Sequence, residues 1–392
     1  METKTLHKLH NIDTVVLSLA STCNINCTYC HNYTYFSTFG REVVMSEEVL
    51  SRIISSYLSF AGINHQKRIQ FVFSGGEPLS VGVKYFNRII QIQNKFLKKT
   101  DIQVINSIQT NGTLIDQNWA SYIKDNNFSI GISLDGPKSI HDKQRFNHKG
   151  KETLYRVLES IQILQANDIP FGFLTVITKN SLNHEEEIYL FLCGLNPTGL
   201  GFLPCIDRGP VISPEEYAEF IIRMFDLWFE DGNYQIPIRE FKYLLLTMLG
   251  VKNDPRLCDY FGDCPRTINI CPDGTIYVCD NYIGMKEGKL GNILDLDFVE
   301  LVHSNEFQEF NRAAKNVPQK CRNCAYFVYC RGGCPYRRNN FTQVDYLCPS
   351  RKQIIQHVGT TLRSSINRIA KAFPDLGYAL KNRKHLDIFS SR

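Results

Sequence analysis

Fourteen of the 392 residues are cysteine, and their spacing is the first chemical signal in the chain. Cys23, Cys27 and Cys30 share one short segment. Nine more fall between positions 258 and 348, and only Cys193 and Cys205 stand apart. No apolar run approaches the roughly 18 residues needed to span a bilayer. The stretch 15–20 is shorter than the roughly 7–15 residues of a signal-peptide core. The protein is therefore expected in the cytoplasm, where thiols stay reduced. Clustered cysteines there point to metal or redox chemistry rather than a disulfide scaffold.

Three thiolates from one loop suit an iron–sulfur cluster, which usually takes four protein ligands. The fourth iron is then open to a small chelating molecule. A zinc site completed by His31 is the competing reading. Ser74-Gly75-Gly76-Glu77-Pro78 combines glycines, which let backbone approach a ligand closely, with a carboxylate able to hold an ammonium group. Gln109-Thr110-Asn111-Gly112 and Ser133-Leu134-Asp135-Gly136-Pro137 are further polar segments, and Arg145 follows Ser133 by twelve residues. Near the other end, Cys321-x2-Cys324-x5-Cys330-x3-Cys334 is followed by Cys348 and preceded by Cys258, Cys264 and Cys279. Four such cysteines would make a zinc ribbon and eight would make two.

Between about 13 and 210 the pattern alternates short apolar runs with longer amphipathic stretches. Strands are expected at 14–20, 69–74, 103–110, 129–134, 171–178 and 199–204. Helices are expected at 46–60, 81–98, 119–125, 151–167 and 184–193. Near-continuous apolar strands alternating with helices argue for a parallel sheet or barrel with helices outside. Polar residues at the carboxyl ends of such strands face the usual ligand crevice. About six β/α units are counted, fewer than the eight of a full barrel. The segment 214–250 reads as two aromatic-rich helices. Beyond 265 come short strands and turns, then a helical end from 353 with a break at Pro374.

The triplet Cys23-x3-Cys27-x2-Cys30, with aromatic Tyr29 before the last cysteine, resembles the radical S-adenosylmethionine (radical SAM) superfamily. That resemblance implies that the three thiolates hold a [4Fe-4S] cluster whose open iron chelates SAM. Reductive cleavage then gives a 5′-deoxyadenosyl radical that abstracts a substrate hydrogen. It implies that Ser74, Gly75, Gly76, Glu77 and Pro78 bind SAM, with Glu77 on the amino group. Ser133 and Arg145 would hold its carboxylate or ribose, and Tyr29 would belong to the same site. The C-terminal array resembles the SPASM domain, which implies two auxiliary [4Fe-4S] clusters. Cys258, Cys264, Cys279 and Cys334 would hold the first. Cys321, Cys324, Cys330 and Cys348 would hold the second. By the same resemblance Asp280 serves as a base for the substrate side chain. The expected fold is thus α/β, a partial (β/α)6 TIM-like barrel followed by a small cysteine-rich SPASM domain. The expected division is an extension at 1–12, the barrel at 13–213, a helical bridge at 214–256, the SPASM domain at 257–350 and a basic helical tail at 351–392.

Two related functions follow. The first is a maturase that crosslinks a ribosomally made precursor peptide, for instance as a cyclophane, after abstraction of a Cβ hydrogen. The second is an anaerobic sulfatase-maturating enzyme that oxidises a Cys or Ser to formylglycine. Ser74 before the Gly-Gly-Glu-Pro, where the sulfatase branch often has Gln, and His31 after the triplet favour the first. Asp280 and the cysteine spacing favour the second. The expected partners are a peptide or protein substrate and a reductant such as flavodoxin or ferredoxin, with no membrane. An inactive metal-stapled scaffold is disfavoured because the cysteine triplet and Gly-Gly-Glu are intact.

The net charge of +5 is mild. Its excess lies after position 350, where nine Lys/Arg face Asp375 and Asp387. No aromatic RNA-binding motif accompanies it, so no nucleic acid is expected. About twelve residues precede the first strand, leaving no room there for a leader-binding domain. Leader recognition would then fall to the barrel, the bridge or the basic tail.

Overall fold

The computed structural model describes residues 10–30, 37, 42–98, 100–232, 234–249 and 257–365. His31, Pro374 and the rest of the expected tail lie outside them. Eleven strands are present among the described residues: β1 Thr14–Ala20, β2 Ile25–Cys27, β3 Arg68–Gly75, β4 Gln103–Thr110, β5 Ser129–Ser133, β6 Arg145–Asn147, β7 Phe171–Ile177, β8 Leu200–Pro204, β9 Thr267–Ile270, β10 Thr275–Tyr277 and β11 Lys289–Asn292. The helices that matter here are α1 Glu47–Ile63, α2 Val83–Leu97, α3 Gln117–Asp125, α4 Lys138–Gln144, α5 Leu154–Ala166, α6 Glu185–Gly194, α7 Pro214–Asp231, α8 Arg239–Met248 and α9 Cys348–Ser364.

The run β1-β3-β4-β5-β7-β8 is parallel throughout and forms the expected six-stranded partial barrel. Its strands bury apolar residues such as Leu17, Phe71, Phe73, Ile132 and Phe173, while β4 interposes the polar Asn106, Ser107 and Gln109. Local chemistry starts the helices. Ser46 caps α1 by accepting from Val49 N at 3.2 Å. Ser213 and Glu216 form a capping box at α7 with Pro214 in the first turn, each satisfying amides that the helix itself leaves open. Phe73, Phe86, Trp119, Tyr122 and Phe128 pack edge to face where α2 and α3 cover the sheet, burying large apolar area with favourable ring geometry.

The cysteine-rich region is not a separate body beside the barrel. Its strand β9 pairs in parallel with β1, from Thr14↔Thr267 to Leu17↔Ile270, and β10 and β11 extend the same sheet antiparallel. Arg266 at this seam donates through Nε to Asp13 Oδ2 at 2.9 Å. The spacing of residues does not reveal this join, because the paired strands lie some 250 positions apart.

The bridge helices α7 and α8 lie beyond β8, with a parallel bridge between Leu200 and Ile238. The first part of the expected tail is α9, which packs on α7 and α8 through Ile354, Ile355, Val358 and Leu362. His357 Nε2 lies 2.6 Å from Asp226 Oδ1 on α7. Up to Ser364, therefore, the tail is a covered helix rather than a free basic arm, because its apolar stripe needs a partner surface.

Candidate active site and cluster-binding cysteines

Gly75 ends β3 and Gly76 follows it, both against the turn after β1. Gly75 has φ +119°, and a Cβ on Gly76 would lie 1.9 Å from the carbonyl oxygen of Thr22. Only glycine lets the two loops approach this closely. Glu77 N donates to Thr22 O at 2.9 Å, which fixes the loop that carries Cys23. The buried Glu77 carboxylate accepts from Leu79 N at 3.0 Å, Thr110 Oγ1 at 2.6 Å and Asn111 N at 2.9 Å. It thus joins the ends of β3 and β4. Burial raises its pKa to about 6, against the lowering effect of those three donors.

The loop after β1 holds Cys23, Cys27 and Cys30, the middle one at the end of β2. That short strand pairs antiparallel with β6, Cys27 facing Arg145 in register. Two donors address the sulfurs. Asn111 Nδ2 donates to Cys23 Sγ at 3.6 Å, and Arg145 Nη1 donates to Cys27 Sγ at 3.7 Å. Burial pushes the Cys23 thiol up to about 12 and Cys27 to about 11, the nearby Arg145 partly offsetting the latter. Binding a cluster here must therefore displace protons.

Arg145 is not open to solvent. It is 6 % exposed, sits 5.3 Å from the Tyr29 ring centroid and forks onto Asp135, with Nε at 2.9 Å from Oδ2 and Nη2 at 3.2 Å from Oδ1. The Tyr29 hydroxyl donates to the same carboxylate. Asp135 would rise on burial, but Arg145 holds it below the usual carboxylate value. His141 accepts from Asp135 N at 3.4 Å and lies 3.2 Å from Thr153 Oγ1, and burial depresses its pKa to about 4.

One cavity of about 1010 Å³ is lined by Cys23, Cys27, Cys30, Tyr29, Ser74 to Glu77, Ser133 and Arg145, and also by Asp280. Ser133 Oγ accepts from Gln109 Nε2 at 3.1 Å. Asp280 is exposed at the cavity wall, directly after Cys279. Of the residues singled out for this site, only Pro78 stays off the wall, where it opens a short 3-10 turn. The same cavity takes in Asp207, Arg208, Arg239 and Glu240, which sequence reasoning passed over because nothing local marks them. It likewise passed over the Asp135 clamp, although the Ser133-to-Pro137 segment was a signal for it.

The remaining cysteines gather in two interleaved groups. The thiols of Cys258, Cys264, Cys279 and Cys334 act on one another electrostatically. Those of Cys321, Cys324, Cys330 and Cys348 do the same, and all four line a second, smaller cavity. Among the described residues no trio of His, Cys, Asp or Glu converges tightly enough to enclose a single ion. Four thiols around a cavity fit a cluster in the second group, and three thiols on the wall of a roomy cavity fit a cluster plus a chelating ligand in the first loop. Cys193 lies in α6, Cys271 is buried beside Asn269, and Cys205 donates to Arg208 O at 2.8 Å on the cavity wall.

A parallel partial barrel with three loop cysteines after its first strand, continued into a cysteine-rich hairpin, defines a radical SAM enzyme with an added iron–sulfur domain. The Radical SAM superfamily model matches residues 17–192, and the SPASM model, an iron–sulfur cluster-binding domain, matches 264–325. The chain belongs to the radical SAM/SPASM maturases, which bind a [4Fe-4S] cluster and SAM in the barrel and auxiliary iron–sulfur clusters in the SPASM domain. It is 32% identical over 367 residues to the cysteine-type anaerobic sulfatase-maturating enzyme of Clostridium perfringens, covering 89% of this chain and 97% of that protein. It is 27% identical over 376 residues to the serine-type enzyme of Bacteroides thetaiotaomicron, covering 88% of each. The structure of anSMEcpe with bound AdoMet and the Cp18Cys peptide matches with a TM-score of 0.79 at 29% identity, over 94% of this chain and 99% of that one. Among the described residues no helix is long and apolar enough to cross a membrane.

Proposed function

We propose that this chain is an anaerobic sulfatase-maturating enzyme of the cysteine type, acting in the cytoplasm on a protein or peptide cysteine. Of the two functions weighed from the sequence, the relatives favour this one over peptide crosslinking. The carrying observation is that Asp280 shares one cavity with Cys23, Cys27, Cys30, Glu77 and Arg145.

The eleven cysteines in sets of three, four and four are assigned to one SAM-binding and two auxiliary [4Fe-4S] clusters. When bound, these groups and SAM supply the radical that removes a Cβ hydrogen and a sink for one electron. The chain's own residues do the rest. Glu77 accepts the SAM ammonium on a carboxylate already fixed by three donors, while Ser133 and Arg145 face its carboxylate or ribose. Asp280 takes the thiol proton. Loss of the hydrogen atom, the electron and the proton leaves a C=S bond, which water hydrolyses to the aldehyde with release of hydrogen sulfide. A flavodoxin or ferredoxin is the reductant expected to start each turnover.

The test is anaerobic reconstitution followed by incubation with SAM, a reductant and a cysteine-containing sulfatase peptide. A hydrazide-reactive aldehyde at the cysteine is expected. A crosslink with no aldehyde would overturn this reading in favour of the peptide maturase, and an aldehyde from serine alone would overturn the cysteine type.

A further inference from the structure

Arg338, Arg351 and Asp345 are buried among the C-terminal cysteines, and the half-buried Arg337 pairs with that same Asp345. Arg338 is 1 % exposed. Its Nε donates to Gly332 O at 3.0 Å, Nη1 to Ala314 O at 2.8 Å and Nη2 to Gly333 O at 2.9 Å. All three acceptors are neutral carbonyls, and none of the ion pairs among the described residues includes it. A cation taken out of water is strongly disfavoured unless negative charge lies near. Burial lowers the Arg338 pKa, and Cys334, Asp345, Cys321 and Cys264 oppose that. Those thiols come from both cysteine groups.

Asp345, 2 % exposed, is the other half of the arrangement. It accepts from Cys334 N and from Leu347 N, each at 2.7 Å, and pairs with Arg337 at 3.0 Å and Arg351 at 3.5 Å. Its own carbonyl accepts from Cys348 N at 2.8 Å. One residue thus fixes the backbone of Cys334 in one group and of Cys348 in the other. A Cβ on Gly333 would lie 2.1 Å from the Asp345 carboxylate, and its φ is +76°, so glycine is required for the turn to close here.

We propose that Arg338, with Arg337 and Arg351 around Asp345, forms an electropositive belt that raises the reduction potentials of the auxiliary clusters on both sides of it. The inference rests on the cysteine assignment made above. Four thiolates on a +2 four-iron core leave a net −2, and reduction adds a further negative charge. A fixed positive charge in a medium of low dielectric favours that reduced form. Arg338 holds the Gly332 and Gly333 carbonyls at the turn into Cys334, and its charge interacts with Cys334 and Cys264 of one group and Cys321 of the other, so one side chain acts on both clusters. The belt makes the domain a better acceptor for the electron that substrate oxidation releases.

Redox titration of the reconstituted full-length protein, followed by electron paramagnetic resonance, tests this. Arg338→Met should lower the auxiliary potentials and Asp345→Asn should raise them, each by roughly tenfold in the ratio of reduced to oxidised cluster, about 59 mV for one electron. Arg338→Lys, which keeps the charge with fewer donors, should return close to wild type. Opposite signs are the signature, since a merely structural role would disturb the clusters in one direction. Unshifted potentials at full iron content, or shifts of the same sign, overturn the belt. If both variants lose iron, Arg351→Gln must still show the downward shift, and an unchanged potential there is decisive against it. Wild-type protein with about four irons would overturn the cysteine assignment and the belt together. Absence of aldehyde at about twelve irons would sink only the proposed function.

Discussion

Arg145 Nε lies 2.9 Å from Asp135 Oδ2, with both side chains buried and the Arg145 Nη1 reaching on to Cys27 Sγ at 3.7 Å. A carboxylate at the end of β5 therefore positions the arginine that faces the first cysteine loop. Asp135→Asn leaves a buried guanidinium without its counter-charge, a change that costs about 3–5 kcal/mol. It should lower thermal stability and weaken SAM binding, as measured by calorimetry. Unchanged SAM affinity would show that Arg145 is oriented without Asp135.

Asp280→Asn keeps the shape of the cavity wall but removes the base. Aldehyde formation should fall by roughly 10²–10⁴, the usual contribution of a positioned acid or base. Formation of 5′-deoxyadenosine should continue, because the residues that face SAM are untouched. Parallel loss of both products would place Asp280 in the SAM site instead.

The two kinds of cysteine group should separate in iron analysis. Cys27→Ala with Cys30→Ala should abolish SAM cleavage while leaving about eight irons, as two four-iron clusters imply. Cys348→Ala should lower the auxiliary iron and spare 5′-deoxyadenosine formation. Persistence of SAM cleavage in the first variant would contradict the open-iron reading of the triplet.

His141 is neutral in the fold, its pKa depressed to about 4 by burial from an ordinary value of 6.5. Between those values the unfolded chain binds more protons than the native one, so stability rises with pH through this window and is lost on acidification. The full effect is about 3 kcal/mol. Glu77, raised to about 6 from 4.5 by burial, runs the other way between its two values. Denaturation midpoints of cluster-loaded protein at pH 7.5 and 4.5 should therefore drop less in His141→Gln than in wild type. An equal drop in both would remove His141 as the cause.

Gly76→Ala should be among the most damaging single changes. Its Cβ would meet the backbone O, C and N of Thr22, which cannot swing aside as a side chain could. The loop carrying Cys23 must shift, and iron at the first site should fall. Retention of SAM cleavage at wild-type rate would show that the loop has slack.

Local pattern fixes much of this protein. Strands at Thr14–Ala20 and Gln103–Thr110 are readable to the residue, because alternating apolar runs between polar breaks leave few other choices. The cysteine triplet and the Gly-Gly-Glu segment are legible for the same reason: the chemistry sits in adjacent residues, so covalent spacing alone holds it together. The grouping of Cys334 with Cys258, Cys264 and Cys279 came from resemblance, since spacing alone would place it with its neighbours at 321–330. Only the tertiary structure joined β9 to β1, set Asp135 against Arg145, brought Asp280 to the cavity of the first cysteine loop and buried Arg338 between two cysteine groups. In the sequence Arg338 reads as one more basic residue, indistinguishable from a solvated charge. Its meaning depends on being removed from water near cysteines of both groups, among them Cys334, Cys264 and Cys321, and burial is a property of the folded packing, not of any stretch of chain.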